Sequence, residues 1–121
     1  MVNVVLDNNG LPSEVINIYR AVGERELSSI IRTRRFSFWA RSAEVKYFRL
    51  DFHETSQFAH KAYYDYVAVV EVRINKDMLD KVGDFIRVDP FLFKHGTVEI
   101  QPENLDEFNA SILEIKHKDW R

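Results

Sequence analysis

The sequence predicts one α+β domain, built on a curved, mixed β-sheet with a few short helices on one side of it. Two observations support this prediction. Apolar residues alternate with polar ones in several short segments, most clearly in Tyr66–Ile74, and this period of two is typical of strands. Between these segments the apolar residues are spaced by three and four, as in Glu24–Arg34. Because the strands are short and the helices few, we favour α+β over a doubly wound parallel sheet.

Composition sets the limits on function. The chain has 121 residues, 45% of them hydrophobic, and we expect a single domain over residues 1–121 with its core at about 14–116. It contains no cysteine, which excludes disulfides, thiolate metal sites and a cysteine nucleophile. The formal net charge of -2 gives no general attraction to nucleic acid or membrane. Neither a signal peptide nor a membrane span is predicted.

Each element follows from this periodicity. Strands are predicted, in chain order, at Met1–Leu6, Glu14–Val22, Val45–Phe48, Tyr66–Ile74, Phe85–Val88, Thr97–Ile100 and Ile112–Lys116. Helices are predicted at Glu24–Arg34, at His53–Tyr64, between a cap at Asn75 or Asp77 and Gly83, and at Pro102–Asn109. Of these segments, Tyr66–Ile74 has the cleanest alternation, so we expect it to be a central strand with Val70 and Val72 buried.

Arg20 stands out because it continues the apolar parity of Ile16 and Ile18. An arginine on such a face points toward the core or into a cleft. Its planar guanidinium group suits bidentate contact with a phosphate or a carboxylate. The alternative is a buried ion pair with a structural acidic residue, and the sequence leaves both open.

Two further strands carry candidate binding residues. Lys46 precedes Tyr47 and Phe48, whose side chains point to opposite faces, so at most one ring is available to stack on a planar ligand. The alternative is a core aromatic beside a solvated lysine. Glu99 and Gln101 share one strand parity and together suit hydrogen bonds to two sugar hydroxyls, unless they simply face solvent.

Other polar clusters have simpler explanations. Arg32, Arg34, Arg35 and Arg41 alternate with Phe36, Phe38 and Trp39, which suits contact with a nucleic acid but also suits a helix end followed by core aromatics. His53 and His60 lie two helical turns apart, about 10 Å, too far to share one metal ion. We read them as surface residues, and no metal site is predicted.

Several short motifs, taken in order over residues 16 to 109, resemble the small ADP-ribosyltransferase-fold toxin domains of bacterial polymorphic toxin systems. The first motif is a Tyr-Arg-Ala strand, here Ile18–Val22. A turn, a strand, a helix and a second strand follow it, here Thr33–Phe36, Val45–Phe48, Thr55–Ala59 and Val69–Val72. Two features depart from the pattern of that family. Val45 stands where a glycine is usual, and only Thr55 and Ser56 represent a serine-rich motif.

The resemblance implies a sheet split around a cleft that binds NAD. It implies that Arg20 contacts a phosphate or ribose of NAD, and that Glu99 holds the nicotinamide ribose and stabilises an oxocarbenium-like transition state. Tyr47 or Phe48 would stack on the nicotinamide. Lys46, Thr55 and Gln101 complete the expected binding set.

The expected function is therefore an NAD-dependent toxin or effector domain. It would transfer ADP-ribose to a macromolecule or hydrolyse NAD, either in the cytoplasm or as part of a larger toxin that acts in the cytoplasm of a target cell. A cognate immunity protein would be a partner. Two alternatives remain open: a metal-independent ribonuclease using His53 or His60 as general base, with Lys46 and arginines steadying the phosphate, and a non-enzymatic module that binds nucleic acid or protein.

Overall fold

A computed structural model of the chain describes residues 4–6, 12–37, 45–61, 66–86 and 96–118. Its strands are β1 (Val4–Leu6), β2 (Pro12–Gly23), β3 (Lys46–Arg49), β4 (Tyr66–Asn75), β5 (Gly83–Ile86), β6 (Thr97–Ile100) and β7 (Ile112–Lys118). Its helices are α1 (Glu24–Thr33), α2 (Phe52–Lys61), α3 (Lys76–Val82) and α4 (Leu105–Ser111), the last preceded by a 3-10 turn at Pro102–Asn104. None of these helices is both long and apolar enough to cross a membrane.

Six of the strands form one sheet in the order β5-β6-β3-β2-β4-β7, and β1 pairs with the start of β2. Every strand pairing among the described residues is antiparallel. The α+β class is therefore confirmed, but the prediction of a mixed sheet was wrong. Strand direction depends on how the connections cross the sheet, and the period of two along a strand contains no information about that path.

The sheet is covered on both faces. The first, which we call the core face, carries the main apolar cluster, including Ile18, Val72 and Val98 from the strands. Helices α1, α3 and α4 pack on it through Ile30, Leu79, Val82, Leu105 and Phe108. Helix α2 lies on the opposite face, the α2 face, where the Phe52 ring meets the Tyr19 ring edge-on with centroids 5.8 Å apart. The helices are thus not confined to one side, contrary to the sequence-based expectation.

The strand β4 confirms the clearest prediction from the sequence. It spans Tyr66–Asn75, lies between β2 and β7, and buries Val70 and Val72 almost completely. Asn75 then caps α3, because its side-chain oxygen accepts hydrogen bonds from the backbone N–H groups of Asp77 and Met78. Parts of three predicted elements lie outside the described residues, namely residues 1–3, 62–64 and 87–88.

The two halves of the sheet are joined at a narrow junction. Strand β2 pairs with β4 along most of its length, from Val15 to Gly23. In contrast, the described residues of β2 and β3 pair at one position, Tyr19 opposite Arg49. We call the β2–β3 junction the seam. It divides the sheet into β5-β6-β3 and β2-β4-β7, and the next residues of β2 run beside β3 without backbone pairing.

Gly83 is required by close packing at the start of β5. Its φ of −120° is accessible to any residue, so backbone strain is not the reason. A Cβ at this position would lie 2.8 Å from Cγ1 of Val98 and 3.1 Å from Cδ1 of Ile100. We expect Gly83→Ala to lower the free energy of unfolding by about 1–3 kcal/mol through overpacking, as measured by urea denaturation. Ser28→Ala, on an exposed helix face, is the control, and equal stability of both variants would contradict the packing argument.

Candidate functional site at the seam of the sheet

Arg20 lies at the seam and is held by three hydrogen bonds. Its Nε and one terminal nitrogen donate to the two carboxylate oxygens of Glu26 at 2.8 and 3.0 Å. The other terminal nitrogen donates to the backbone carbonyl of Tyr47 at 3.1 Å. This last bond spans the gap between β2 and β3, where the backbones themselves do not pair. The Arg20 side chain therefore links the two halves of the sheet.

Lys46 joins the same group of charges. Its Nζ lies 3.6 Å from Glu26, and only 6% of its side chain is exposed. We call Arg20, Glu26 and Lys46 the seam ion cluster. Two cations share one carboxylate, so the cluster carries one net positive charge. Because its side chains are between 6% and 19% exposed, this charge is only partly screened by water.

Removal of the Glu26 charge tests this cluster. We expect Glu26→Gln to lower the free energy of unfolding by about 1–3 kcal/mol, because two poorly hydrated cations lose their counter-charge. The measurement is urea denaturation followed by circular dichroism. Glu24→Gln is the matched control, since Glu24 lies in the same helical turn but is exposed. Equal losses of unfolding free energy in the two variants would show that Glu26 stabilises the fold only through the helix dipole and not through the cluster.

Glu99 lies on the other half of the sheet, in a row of three side chains. Tyr47 on β3 is paired with Glu99 on β6, and Glu99 is in turn paired with Asp84 on β5. Directly paired residues hold their Cβ atoms about 5 Å apart on one face. Tyr47 is 42% exposed and Glu99 is half-buried. The row thus presents one aromatic ring and two carboxylates on the α2 face.

Arg20 and this row belong to opposite faces of the sheet. Tyr19 and Arg49 share the α2 face because they pair at the seam, and alternation along each strand gives Tyr47 the same face and Arg20 the other. The expectation that Arg20, Lys46 and Glu99 line one concavity is therefore not supported by the strand register. Tyr47 contacts both Arg20 and the row. Its backbone carbonyl accepts a hydrogen bond from Arg20, and its side chain is paired with that of Glu99.

Three other predicted residues have different environments. Phe48 is completely buried and packs against Phe36 and Phe108, so it is a core residue and not a stacking platform. Thr55 is also completely buried, and its hydroxyl donates to the backbone carbonyl of Asp51 at 2.8 Å. The hydroxyl is therefore engaged at the start of α2, and the contact of Thr55 with a cofactor stays a prediction. Gln101 is half-buried where β6 ends, and its carbonyl accepts from the N–H of Asn104.

The two residues that pair at the seam have shifted pKa values. Burial, reinforced by the nearby Glu71 carboxylate, raises the pKa of Tyr19 to about 12. Burial lowers the pKa of Arg49 to about 10, and its guanidinium lies 4.0 Å from the centre of the Phe58 ring. Neither shift brings the group near neutral pH. Tyr19 is therefore neutral and Arg49 charged under physiological conditions.

The remaining candidates divide into surface and core residues. His53 and His60 are exposed on α2, as the sequence indicated. Phe36 is completely buried, so it cannot stack on a nucleic-acid base, and Phe38, Trp39 and Arg41 lie outside the described residues. Within the described ranges, no group of three or more acidic or histidine side chains is placed to hold a metal ion.

Sequence reasoning missed two residues of this site. Glu26 is not among the predicted site residues, because an acidic residue in the first turn of a helix is already explained by the helix dipole. Asp84 was not considered, because its position opposite Glu99 depends on the register of β5 and β6. That register could not be read from the sequence, since the connection between the strands is long.

Comparisons with known proteins add no relative. The chain matches no protein-family model and no curated protein sequence. The functional argument therefore depends on the geometry of the seam.

Proposed function

We propose that the protein is an NAD-dependent ADP-ribosyltransferase-like toxin or effector domain. It transfers ADP-ribose to a macromolecule or hydrolyses NAD. The observation that carries the proposal is the seam, where two halves of the sheet meet at one paired position and are bridged by the Arg20 side chain. A break of this kind allows an extended dinucleotide to lie between the two halves of the sheet and to contact both of them.

The charge of the seam ion cluster suits the pyrophosphate of NAD. Arg20 and Lys46 together exceed Glu26 by one positive charge, and a guanidinium group is a strong donor to phosphate. An arginine has five N–H groups, of which the bonds to Glu26 and Tyr47 use three. Those that remain are available to a ligand at the seam. Glu26 then acts as a positioning residue that fixes the guanidinium plane.

The row of Tyr47, Glu99 and Asp84 suits the nicotinamide riboside end. Because this row lies on the face of the sheet opposite Arg20, the proposal requires NAD to pass between β2 and β3 at the seam. Tyr47 offers an exposed ring for stacking on the nicotinamide. The two neighbouring carboxylates favour the positive charge that develops on the ribose. Asp84 extends the site implied by the sequence, because it places a second negative charge beside Glu99.

The reaction needs little general acid–base catalysis. The glycosidic bond between the ribose and the nicotinamide breaks, and nicotinamide leaves as a neutral molecule with the electron pair of that bond. The ribose becomes oxocarbenium-like and is stabilised electrostatically by Glu99. A hydroxyl, an amine or another nucleophile of the target, or water, then attacks and loses a proton to solvent. Most of the catalysis is orientation of the dinucleotide and stabilisation of charge.

The decisive experiment is incubation of the purified chain with NAD labelled in its adenylate phosphate. Release of free nicotinamide, measured by chromatography, supports the proposal. Label that appears in a macromolecular fraction only when cell lysate is added identifies a transferase, and label recovered as free ADP-ribose identifies a hydrolase. No nicotinamide release with or without lysate would overturn the proposal. Cleavage of RNA in the absence of NAD would favour the ribonuclease instead.

A further inference from the structure

The outer face of α1 carries a row of side chains that the proposed NAD site does not use. Arg25, Ser28 and Arg32 are spaced by three and four residues, so they lie on one side of the helix. They line an open groove of about 600 Å³ together with Ser29 and Glu24. Arg34 and Arg35 follow directly after the helix and are also exposed.

Helix stability does not explain these arginines. Arg25 lies in the first turn, where a cation opposes the helix dipole at a cost of up to about 1 kcal/mol. Arg32 and Arg34 form no salt bridge with other described residues. Arg35 contacts Asp106 at 3.2 Å, but both side chains are largely exposed, so water and salt screen this pair.

The charge of this face is local and strongly positive. Four arginines lie between positions 25 and 35, although the whole chain has a net charge of -2. Of the two acidic residues in α1, Glu26 is turned inward and bound to Arg20, which leaves Glu24 as the acidic residue of the groove. The side chains that line this groove therefore carry two positive charges and one negative charge.

We propose that this basic face, defined by Arg25, Ser28, Arg32, Arg34 and Arg35, binds the phosphate backbone of a nucleic acid. Arg25 and Arg32 are about 10 Å apart along the helix axis, which corresponds to about three phosphates of one strand. The hydroxyl of Ser28 between them is a further donor to phosphate.

The arginine and serine side chains that line the groove suit contacts with phosphates, which carry no information about base sequence. A nucleic-acid backbone presents anions at a regular spacing whatever its sequence, whereas a peptide does so only where acidic residues are suitably placed. This interaction does not depend on the proposed chemistry with NAD.

Fluorescence anisotropy tests the proposal with the full chain and two labelled probes, a 20-nucleotide single strand and a 20-base-pair duplex of mixed sequence. We expect the logarithm of the observed association constant to fall linearly with the logarithm of the salt concentration. Replacing Arg25 and Arg32 together by Gln should reduce the slope for the duplex by about 1.8 and weaken its binding roughly 60-fold at 0.1 M salt. For the single strand, the expected loss is roughly 25-fold. The assay contains no NAD, so its result is independent of the enzymatic test.

The matched control replaces Lys81 and Lys116 by Gln, which removes the same charge from exposed positions away from α1. This variant should keep nearly all of the affinity. Equal weakening by the two double variants would overturn the proposal, as would a wild-type chain that binds neither probe at 50 mM salt. A poly-glutamate competitor that displaces the probes as well as unlabelled DNA does would show that the face binds acidic protein instead. The wild-type salt slope tests the proposal even if the arginine variant unfolds.

Discussion

Replacing Glu99 by Gln is expected to lower NAD turnover by roughly 10²-fold, which corresponds to about 3 kcal/mol of transition-state stabilisation. The substitution keeps the size and hydrogen-bonding capacity of the side chain but removes its charge. Because that charge acts only when positive charge develops on the ribose, KM for NAD should change little. The measurement is nicotinamide release as a function of NAD concentration.

Three control variants make this result specific. Glu103→Gln removes a carboxylate four residues further along, at an exposed position of the 3-10 turn, and should leave turnover unchanged. His53→Ala and His60→Ala should also leave it nearly unchanged, since the reaction needs no imidazole base. A ribonuclease would show the reverse pattern, with activity lost in a histidine variant and retained in Glu99→Gln. An effect on KM alone would mean that Glu99 binds the substrate without acting in the transition state.

Phe48→Ala is expected to lower the free energy of unfolding by about 3–5 kcal/mol, the usual cost of removing a buried aromatic ring. Phe48 is completely buried, and its ring lies 5.2 Å from that of Phe36 and 5.1 Å from that of Phe108. A small domain has only about 5–15 kcal/mol of stability in total, so the loss should be obvious in urea denaturation.

Tyr47→Ala is the matched comparison, because the two rings are neighbours on β3 but point to opposite faces. Tyr47 is 42% exposed, so its removal should cost at most about 1 kcal/mol of stability. If its ring stacks on nicotinamide, KM for NAD should rise roughly 10-fold, in keeping with stacking energies of about 1–3 kcal/mol. A Tyr47→Ala enzyme with normal KM would remove this residue from the proposed site.

The elements that the sequence predicted best are those whose signal is contained in the segment itself. The predicted bounds of β4 were correct within one residue, and those of Thr97–Ile100 were correct at both ends. The alternation of apolar residues along a segment directly indicates a strand. The cap of α3 was predicted as Asn75 or Asp77, and it is Asn75. This signal is also local, since a cap acts on the next few backbone groups. The residues with the poorest predictions were those whose environment depends on distant partners.

The choice between Tyr47 and Phe48 illustrates the difference. The sequence established that only one of the two rings faces the core, because neighbouring strand residues alternate. It did not establish which one, since that depends on the face of β3 on which helix α4 with Phe108, and the segment after α1 with Phe36, pack. The same reasoning applies to Thr55, which a motif placed in a binding site and which helix packing buries.

The sequence by itself determined the α+β class, the position of most strands and helices, and the presence of a charged side chain on an apolar face of β2. Only the tertiary structure decided what that side chain does. Arg20 pairs with Glu26 because α1 turns back over the core face immediately after β2, and it reaches Tyr47 because β3 lies beside β2 without pairing there. Both facts follow from the order and register of strands far apart in the chain. Such contacts are set by the packing free energy of the whole sheet, which no local period of the sequence records.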